Sequence, residues 1–128
     1  LASRAQSEGE RFIVVGYGIS QEWETGRTVS GCRRFAPVAS VANPCNDGVS
    51  TRYCCVSDYD LVAGGTSGPA TGDACKGDSG GPLCADDESS SIVVAMTTHG
   101  KCPDGGCPSL VGVYLRLDRY CEWLTSLD

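Results

Sequence analysis

Short runs rich in apolar residues recur along the chain at residues 11–18, 33–41, 51–56, 80–85, 91–98 and 110–117, each bounded by clusters of Gly, Pro, Asn, Asp and Ser. Runs of that length between turn formers predict six β-strands. The C-terminal residues differ. Tyr120, Trp123, Leu124 and Leu127 fall at helical spacing and Asp118 is suited to an N-cap, so residues 118–127 predict one terminal helix. Residues 1–10 are polar, without a periodic apolar face, and read as a linker or processed terminus. Residues 63–72 read as a Gly-rich loop. Six antiparallel strands with irregular turns suit an all-β Greek-key barrel over residues 11–128, with the helix at its end.

Composition agrees with that class. The 17 Gly and 6 Pro among 128 residues disfavour a helical bundle. Ten Lys and Arg against 16 Asp and Glu give a formal charge of -6, and no basic run exceeds Arg33-Arg34, which argues against a nucleic-acid or anionic-membrane partner. The apolar runs fall far short of the ~18 residues of a membrane span. Nine cysteines point to disulfides in an oxidising compartment, hence to a secreted protein, and their odd number leaves at least one thiol free or bonded outside the chain. Their spacing lacks paired zinc knuckles, so no metal is expected, and no cofactor. A chain that opens at Leu1 without an initiator Met reads as a processed piece of something longer.

The strongest local signal is Gly77-Asp78-Ser79-Gly80-Gly81-Pro82. A serine flanked by glycines stands on a tight, sterically open turn where a carbonyl can approach its oxygen. The backbone N–H groups of Gly77 and Ser79 can converge there, and two such donors make an oxyanion hole.

The longer stretch Cys75-Lys76-Gly77-Asp78-Ser79-Gly80-Gly81-Pro82-Leu83 resembles the nucleophile loop of the trypsin/chymotrypsin family of serine peptidases. Val15-Gly16-Tyr17-Gly18 resembles the strand entering that family's second barrel, residues 92–100 the strand lining its substrate site, and Gly112-Val113-Tyr114-Leu115-Arg116 with Tyr120 and Trp123 its last strand and helix. The resemblance implies that residues 11–128 are the C-terminal barrel of a trypsin-like double barrel. Ser79 is then the nucleophile, with the Gly77 and Ser79 N–H groups holding the oxyanion. Asp78 matches the carboxylate that pairs with an N-terminal amine freed by zymogen cleavage. Asp73 matches the base of a pocket for Arg or Lys side chains of a peptide or protein substrate. Thr98 and Gly100 match the strand that pairs with the substrate backbone, and Gly100 and Gly112 the small walls of the pocket.

Three departures stand out. His99 lies where the family usually has an aromatic on the pocket wall, and the resemblance implies a wall residue and not the general base. Ala74 offers no hydroxyl beside Asp73, and residues 102–107 elaborate the pocket loop. The resemblance also implies disulfides from Cys32 to Cys84, from Cys45 to Cys54 or Cys55, and from Cys75 to Cys102 or Cys107, with Cys121 the candidate for a bond to another chain.

A serine needs a base, and the base an orienting group. In the family both come from the first barrel, which no part of this chain matches. The expectation is therefore half of a secreted two-chain endopeptidase, whose His and Asp come from a separate N-terminal chain left by a cut of the precursor within residues 1–10. The rival is a catalytically inactive, protease-like binding module.

Overall fold

A computed structural model describes residues 7, 9–21, 28–41, 45, 49–50, 55–56, 58–65, 74–87, 92–100 and 111–127. Strand β1, Arg11–Gly16, alternates buried Phe12 and Val14 with partly exposed Ile13 and Val15, the period-two signature of a strand with one face on a core. It pairs on one side with β4, Arg34–Ser40, and on the other with β8, Pro82–Ala85. β4 continues to β7, Asp60–Gly65, then to β10, Gly112–Arg116, to β9, Val93–Gly100, and back to β8. All six pairings are antiparallel and the barrel closes. Closure leaves the six strands no open edge. Two short ribbons lie apart from it, β2 (Ser20–Gln21) with β3 (Thr28–Val29), and β5 (Val49–Ser50) with β6 (Cys55–Val56).

The strand order places the Ser79 loop. β7 and β8 follow one another in the chain but lie on opposite sides of the β4–β1 pair, so the connection between them is a crossover. Its described second half, residues 74–81, carries Ser79 into β8.

Inside the barrel, Phe12, Leu83, Val38 and Tyr114 are almost wholly buried, together with Val14, Leu61, Ala63, Ala74, Val94 and Ala95. Burying an aromatic or large aliphatic side chain stabilises by about 1.5–3 kcal/mol, so these residues supply much of the drive to close. A second cluster of Cys45, Cys55, Val62 and Val113 buries the outer face of β7 and β10. Register explains the division: Tyr114 and its partner Leu61 face inward, whereas Val113 and Val62 pair one step away and face outward.

Five of the six expected strands occupy their expected places within a few residues. The third does not. Of residues 51–56, those described form only the small ribbon strand β6, and the third barrel strand is Asp60–Gly65, whose last three residues had the look of a Gly-rich loop. Gly64 and Gly65 hold strand conformation because their backbones pair with Ala39 and Val38, and fully buried Ala63 sits between Ser40 and Gly112. Ladder partners on both sides outweigh the weak strand preference of glycine.

The terminal helix is also shorter than its apolar spacing suggests. A 3-10 turn over Leu117–Tyr120 leads into α1, Cys121–Thr125, with no side-chain cap, and Trp123 and Leu127 stay exposed. Asp118 is not the N-cap. Its carboxylate is engaged by Arg116, whose Nε donates at 3.0 Å and Nη2 at 2.6 Å, both side chains being nearly buried. A guanidinium without that partner would stand as an uncompensated buried charge, which is more costly than an uncapped helix end.

The disulfides need correction. Cys45 bonds Cys55, with Cα atoms 5.9 Å apart, which decides between the two alternatives in favour of Cys55; Cys54 lies outside the described residues. Cys75 is disulfide-bonded, and Cys102 and Cys107 fall outside the described residues. Cys32 and Cys84 do not pair; both are thiols, as is Cys121. Cys84 sits opposite Ile13 on β8, while Cys32 lies beyond Arg34, which pairs with Gly16 on the far side of β1. Three residues along a strand at ~3.3 Å each and two strand spacings of ~4.8 Å separate them, well beyond disulfide reach.

Two tests follow from this architecture. Peptide mapping without reductant is expected to show the Cys45–Cys55 link, with Cys32 alkylated fast in the native chain and Cys84, whose thiol burial pushes up in pKa, alkylated slowly. A Cys32–Cys84 peptide would contradict the strand register. Replacing Asp118 by Ala is expected to cost about 3–5 kcal/mol in urea unfolding, and the double change Arg116→Met with Asp118→Leu to restore most of it.

Candidate active site

The second half of the crossover is folded by its own backbone. Asp78 N–H donates to the Cys75 carbonyl at 2.9 Å, and Cys75 N–H donates back to Asp78 Oδ2 at 2.9 Å. Gly81 N–H then donates to the Asp78 carbonyl at 2.9 Å. Two successive turns of this kind require left-handed backbone, which only glycine adopts without strain; Gly77 has φ 99° and Gly80 φ 82°. The Gly-Asp-Ser-Gly-Gly string is thus the sequence form of this geometry.

The loop rests on the end of β1 and the segment after it. Gly18 N–H donates to Asp78 Oδ1 at 2.6 Å and Ile19 N–H to the Lys76 carbonyl at 2.9 Å. Gly16 and Gly18 are needed here for space. A Cβ on Gly16 would overlap the Asp78 carboxylate, and one on Gly18 would lie 2.6 Å from Asp78 Cγ. On the other side the loop is tied to β9, where Gly80 N–H donates to the Thr97 carbonyl at 2.8 Å and Thr97 N–H to the Gly81 carbonyl at 2.9 Å.

Ser79 stands exposed between these anchors, its Oγ donating to the Thr98 carbonyl at 3.4 Å. Among the described residues, the N–H groups of Asp78, Gly80 and Gly81 all have acceptors, whereas those of Gly77 and Ser79 have none. Two open donors beside an exposed hydroxyl are what oxyanion stabilisation requires.

Thr98 is held by its own hydroxyl, which donates to the Val113 carbonyl at 2.8 Å and lies 3.1 Å from His99 Nδ1. The His99 ring therefore engages its neighbour on β9. Gly100 pairs directly with Gly112, and a Cβ on Gly112 would fall 2.8 Å from the Tyr114 hydroxyl. Ala74 belongs to the same buried core cluster as Tyr114, and Asp73 before it lies outside the described residues. The structure thus brings Gly77, Asp78, Ser79 and Thr98 together and sets the Gly100–Gly112 pair further along the same β9–β10 ladder. Sequence reasoning missed the part played by Gly16 and Gly18. Their signal was present as two glycines flanking one tyrosine at a strand end, but nothing local says which carboxylate they accommodate.

Comparison with known proteins fits this geometry. The Trypsin family model matches residues 1–124. Melanization protease 1 of Drosophila melanogaster is 32% identical over 125 residues, covering 92% of this chain and 29% of that protein. Vitamin K-dependent protein C of Oryctolagus cuniculus is 32% identical over 124 residues, covering 92% of this chain and 25% of that protein. Among solved structures, neuropsin, a serine protease expressed in the limbic system of mouse brain, superposes with a TM-score of 0.72 at 27% identity, over 100% of this chain and 52% of that one. The chain therefore spans less than a third of these two curated relatives and about half of the neuropsin chain. With the match extending over nearly its whole length, the chain belongs to the trypsin family of serine proteases.

Proposed function

We propose that this chain is the nucleophile-bearing half of a secreted, two-chain, trypsin-like endopeptidase that cleaves peptide bonds after Arg or Lys through an acyl-enzyme on Ser79. The observation that carries the reading is the state of the Ser79 loop: two open N–H donors, at Gly77 and Ser79, beside an exposed hydroxyl whose hydrogen bond goes to the Thr98 carbonyl. That hydroxyl is presented but not activated. A carbonyl accepts its hydrogen bond but is far too weakly basic to take its proton, so a base must come from elsewhere.

In this reading an N-terminal first-barrel chain supplies the His and its orienting Asp, and Cys121 is the candidate for a covalent link to it. Attack by Ser79 Oγ on the scissile carbonyl transfers the hydroxyl proton to that His. The negative charge developing on the carbonyl oxygen is received by the Gly77 and Ser79 N–H groups, each such donor being worth about a hundredfold or more in rate. Collapse expels the amine, which takes the proton from the imidazolium, and water then hydrolyses the ester by the same route. Asp78 keeps the loop in shape; each of its oxygens accepts one backbone N–H and retains a lone pair for an N-terminal ammonium. Asp73 provides the charge that selects a basic side chain, with Gly100 and Gly112 leaving room for its length. The Cys45–Cys55 disulfide and the bonded Cys75 support an oxidising, extracellular setting.

The decisive experiment separates and recombines the two chains. Residues 1–128 alone, with folding checked by circular dichroism, are expected to hydrolyse no arginyl amide and to label slowly with a fluorophosphonate, and adding the first-barrel chain is expected to restore both. Full activity of the isolated chain would refute the half-enzyme reading, and an inactive recombined pair would favour a binding module. In the assembled enzyme, Asp73→Ser is expected to cost about 3–5 kcal/mol with basic substrates, a hundred- to several-thousandfold in kcat/KM. Equal cleavage after Leu or Phe by the unmutated enzyme would overturn the charge assignment.

A further inference from the structure

The alternation that builds the barrel leaves one of its outer faces apolar and exposed. Phe12 and Val14 of β1 point inward with Val38 of β4 and Leu83 of β8, so the residues between them point outward. Those outward residues pair in rows. Cys84, Ile13 and Pro37 lie side by side across β8, β1 and β4, and Val15 lies beside Phe35 nearer the Ser79 loop. Neither row contains a charged side chain, and Phe35 is 76% exposed. Isolated exposed hydrophobes are ordinary on a protein surface, whereas a contiguous apolar patch marks an interaction site.

The fold narrows down what covers it. The barrel is closed, so a partner cannot extend the sheet by adding a strand and must pack against a face. The outer face of β7 and β10 is already occupied by the chain's own Cys45 and Cys55. The face of β8, β1 and β4 ends at the Ser79 loop: a Cβ on Gly81, two residues after Ser79, would lie 2.8 Å from the Val15 carbonyl oxygen, and Gly18 N–H, three residues beyond Val15, donates to Asp78. A body seated there stands beside the hydroxyl that needs a base. Comparison gives its size, since the whole of this chain accounts for 52% of the neuropsin chain and leaves a body about as large again.

Resting on the two-chain reading proposed above, we infer that the outer face formed by Ile13, Val15, Phe35, Pro37 and Cys84 is the docking surface for the N-terminal chain that brings the base, which meets it with an apolar surface of its own. The two rows are the dry centre of that interface. A polar rim is present at both ends, with Arg11 paired to Asp86 at 3.0 Å on one side and exposed Arg34 on the other. Phe35, the most exposed of the large apolar side chains, is the anchor, because a projecting aromatic ring that fills a partner's pocket carries a disproportionate share of binding energy.

The test uses the two-chain protein with single changes in this chain, and iodoacetamide as the probe of the face. Phe35→Glu is expected to raise the dissociation constant of the two chains, read by analytical ultracentrifugation, about ten- to a hundredfold. Val56→Glu, also at an exposed apolar position but on the β5–β6 ribbon, is expected to leave it unchanged. In the unmutated protein, Cys84 is expected to be alkylated about tenfold more slowly in the assembly than in the separated chain, a readout that needs no variant. Undiminished affinity in Phe35→Glu, equal alkylation of Cys84 in the two states, or failure of the chains to associate would each overturn the inference. Self-association of this chain that Phe35→Glu abolishes would also overturn it, by making the occupant a second copy. Assembly that depends on Phe35 and protects Cys84, in a protein that hydrolyses no arginyl amide, would uphold it while refuting the catalytic reading.

Discussion

The shape of the Ser79 loop depends on one carboxylate. Asp78 accepts backbone N–H groups from Gly18, just beyond the first barrel strand, and from Cys75, at the start of its own turn. The first bond spans 60 residues and the second three. Together they fix where the crossover lies on the barrel and how its peptide planes turn, and the two open donors at Gly77 and Ser79 flank that same residue. An ionised acceptor makes such bonds roughly twice as strong as neutral ones, which suits a loop that must hold its donors in place with no ligand bound.

The barrel makes this possible by determining what can stand beside the carboxylate. Gly16 and Gly18 leave the space that Asp78 fills, so the end of β1 acts as a floor for the loop, while Thr97 on β9 grips Gly80 and Gly81 from the opposite side. β1 and β9 are both hydrogen-bonded to β8, the short strand that the loop feeds. Ser79 is consequently carried by a loop, but a loop held at both sides by strands of a closed sheet, an arrangement that gives a side chain both exposure and a fixed position.

Away from the loop, the structure separates forces that look alike in sequence. The Cys45–Cys55 bond ties the segment outside β7 to the apolar patch of Val62 and Val113, adding cross-linking to burial where the barrel alone would leave a flat outer face. The Arg116–Asp118 pair does something different. It joins the last strand to the 3-10 turn inside a nearly dry environment, and Arg116 N–H also donates to the Tyr59 carbonyl at 2.8 Å. The end of the barrel is thereby fastened by polar contacts, while Trp123 and Leu127 on the following helix remain exposed.

Most strands could be read from the chain because alternation such as that of Phe12 to Val15 is a local property: burial on one face imposes it on any strand of this kind. The turn chemistry around Ser79 was equally legible, since left-handed backbone at Gly77 and Gly80 needs glycine whatever surrounds it. Other features arise only when distant segments meet. The strand Asp60–Gly65 carries two glycines that, judged alone, belong in a loop, and it is held by ladders to β4 and β10 that no local pattern announces. Asp118 has the position of a helix cap until Arg116 is buried beside it, and Cys32 and Cys84 are plausible partners until β1 comes between them. That Val15 and Phe35 share one exposed face is invisible in two separate apolar runs, because only the β1–β4 register brings them together. What the sequence by itself determined was therefore the local geometry, set by periodicity and glycine. What only the tertiary structure decided was partnership, because a charge, a thiol or a hydroxyl is paired or left unpaired by whatever closure of the sheet places next to it.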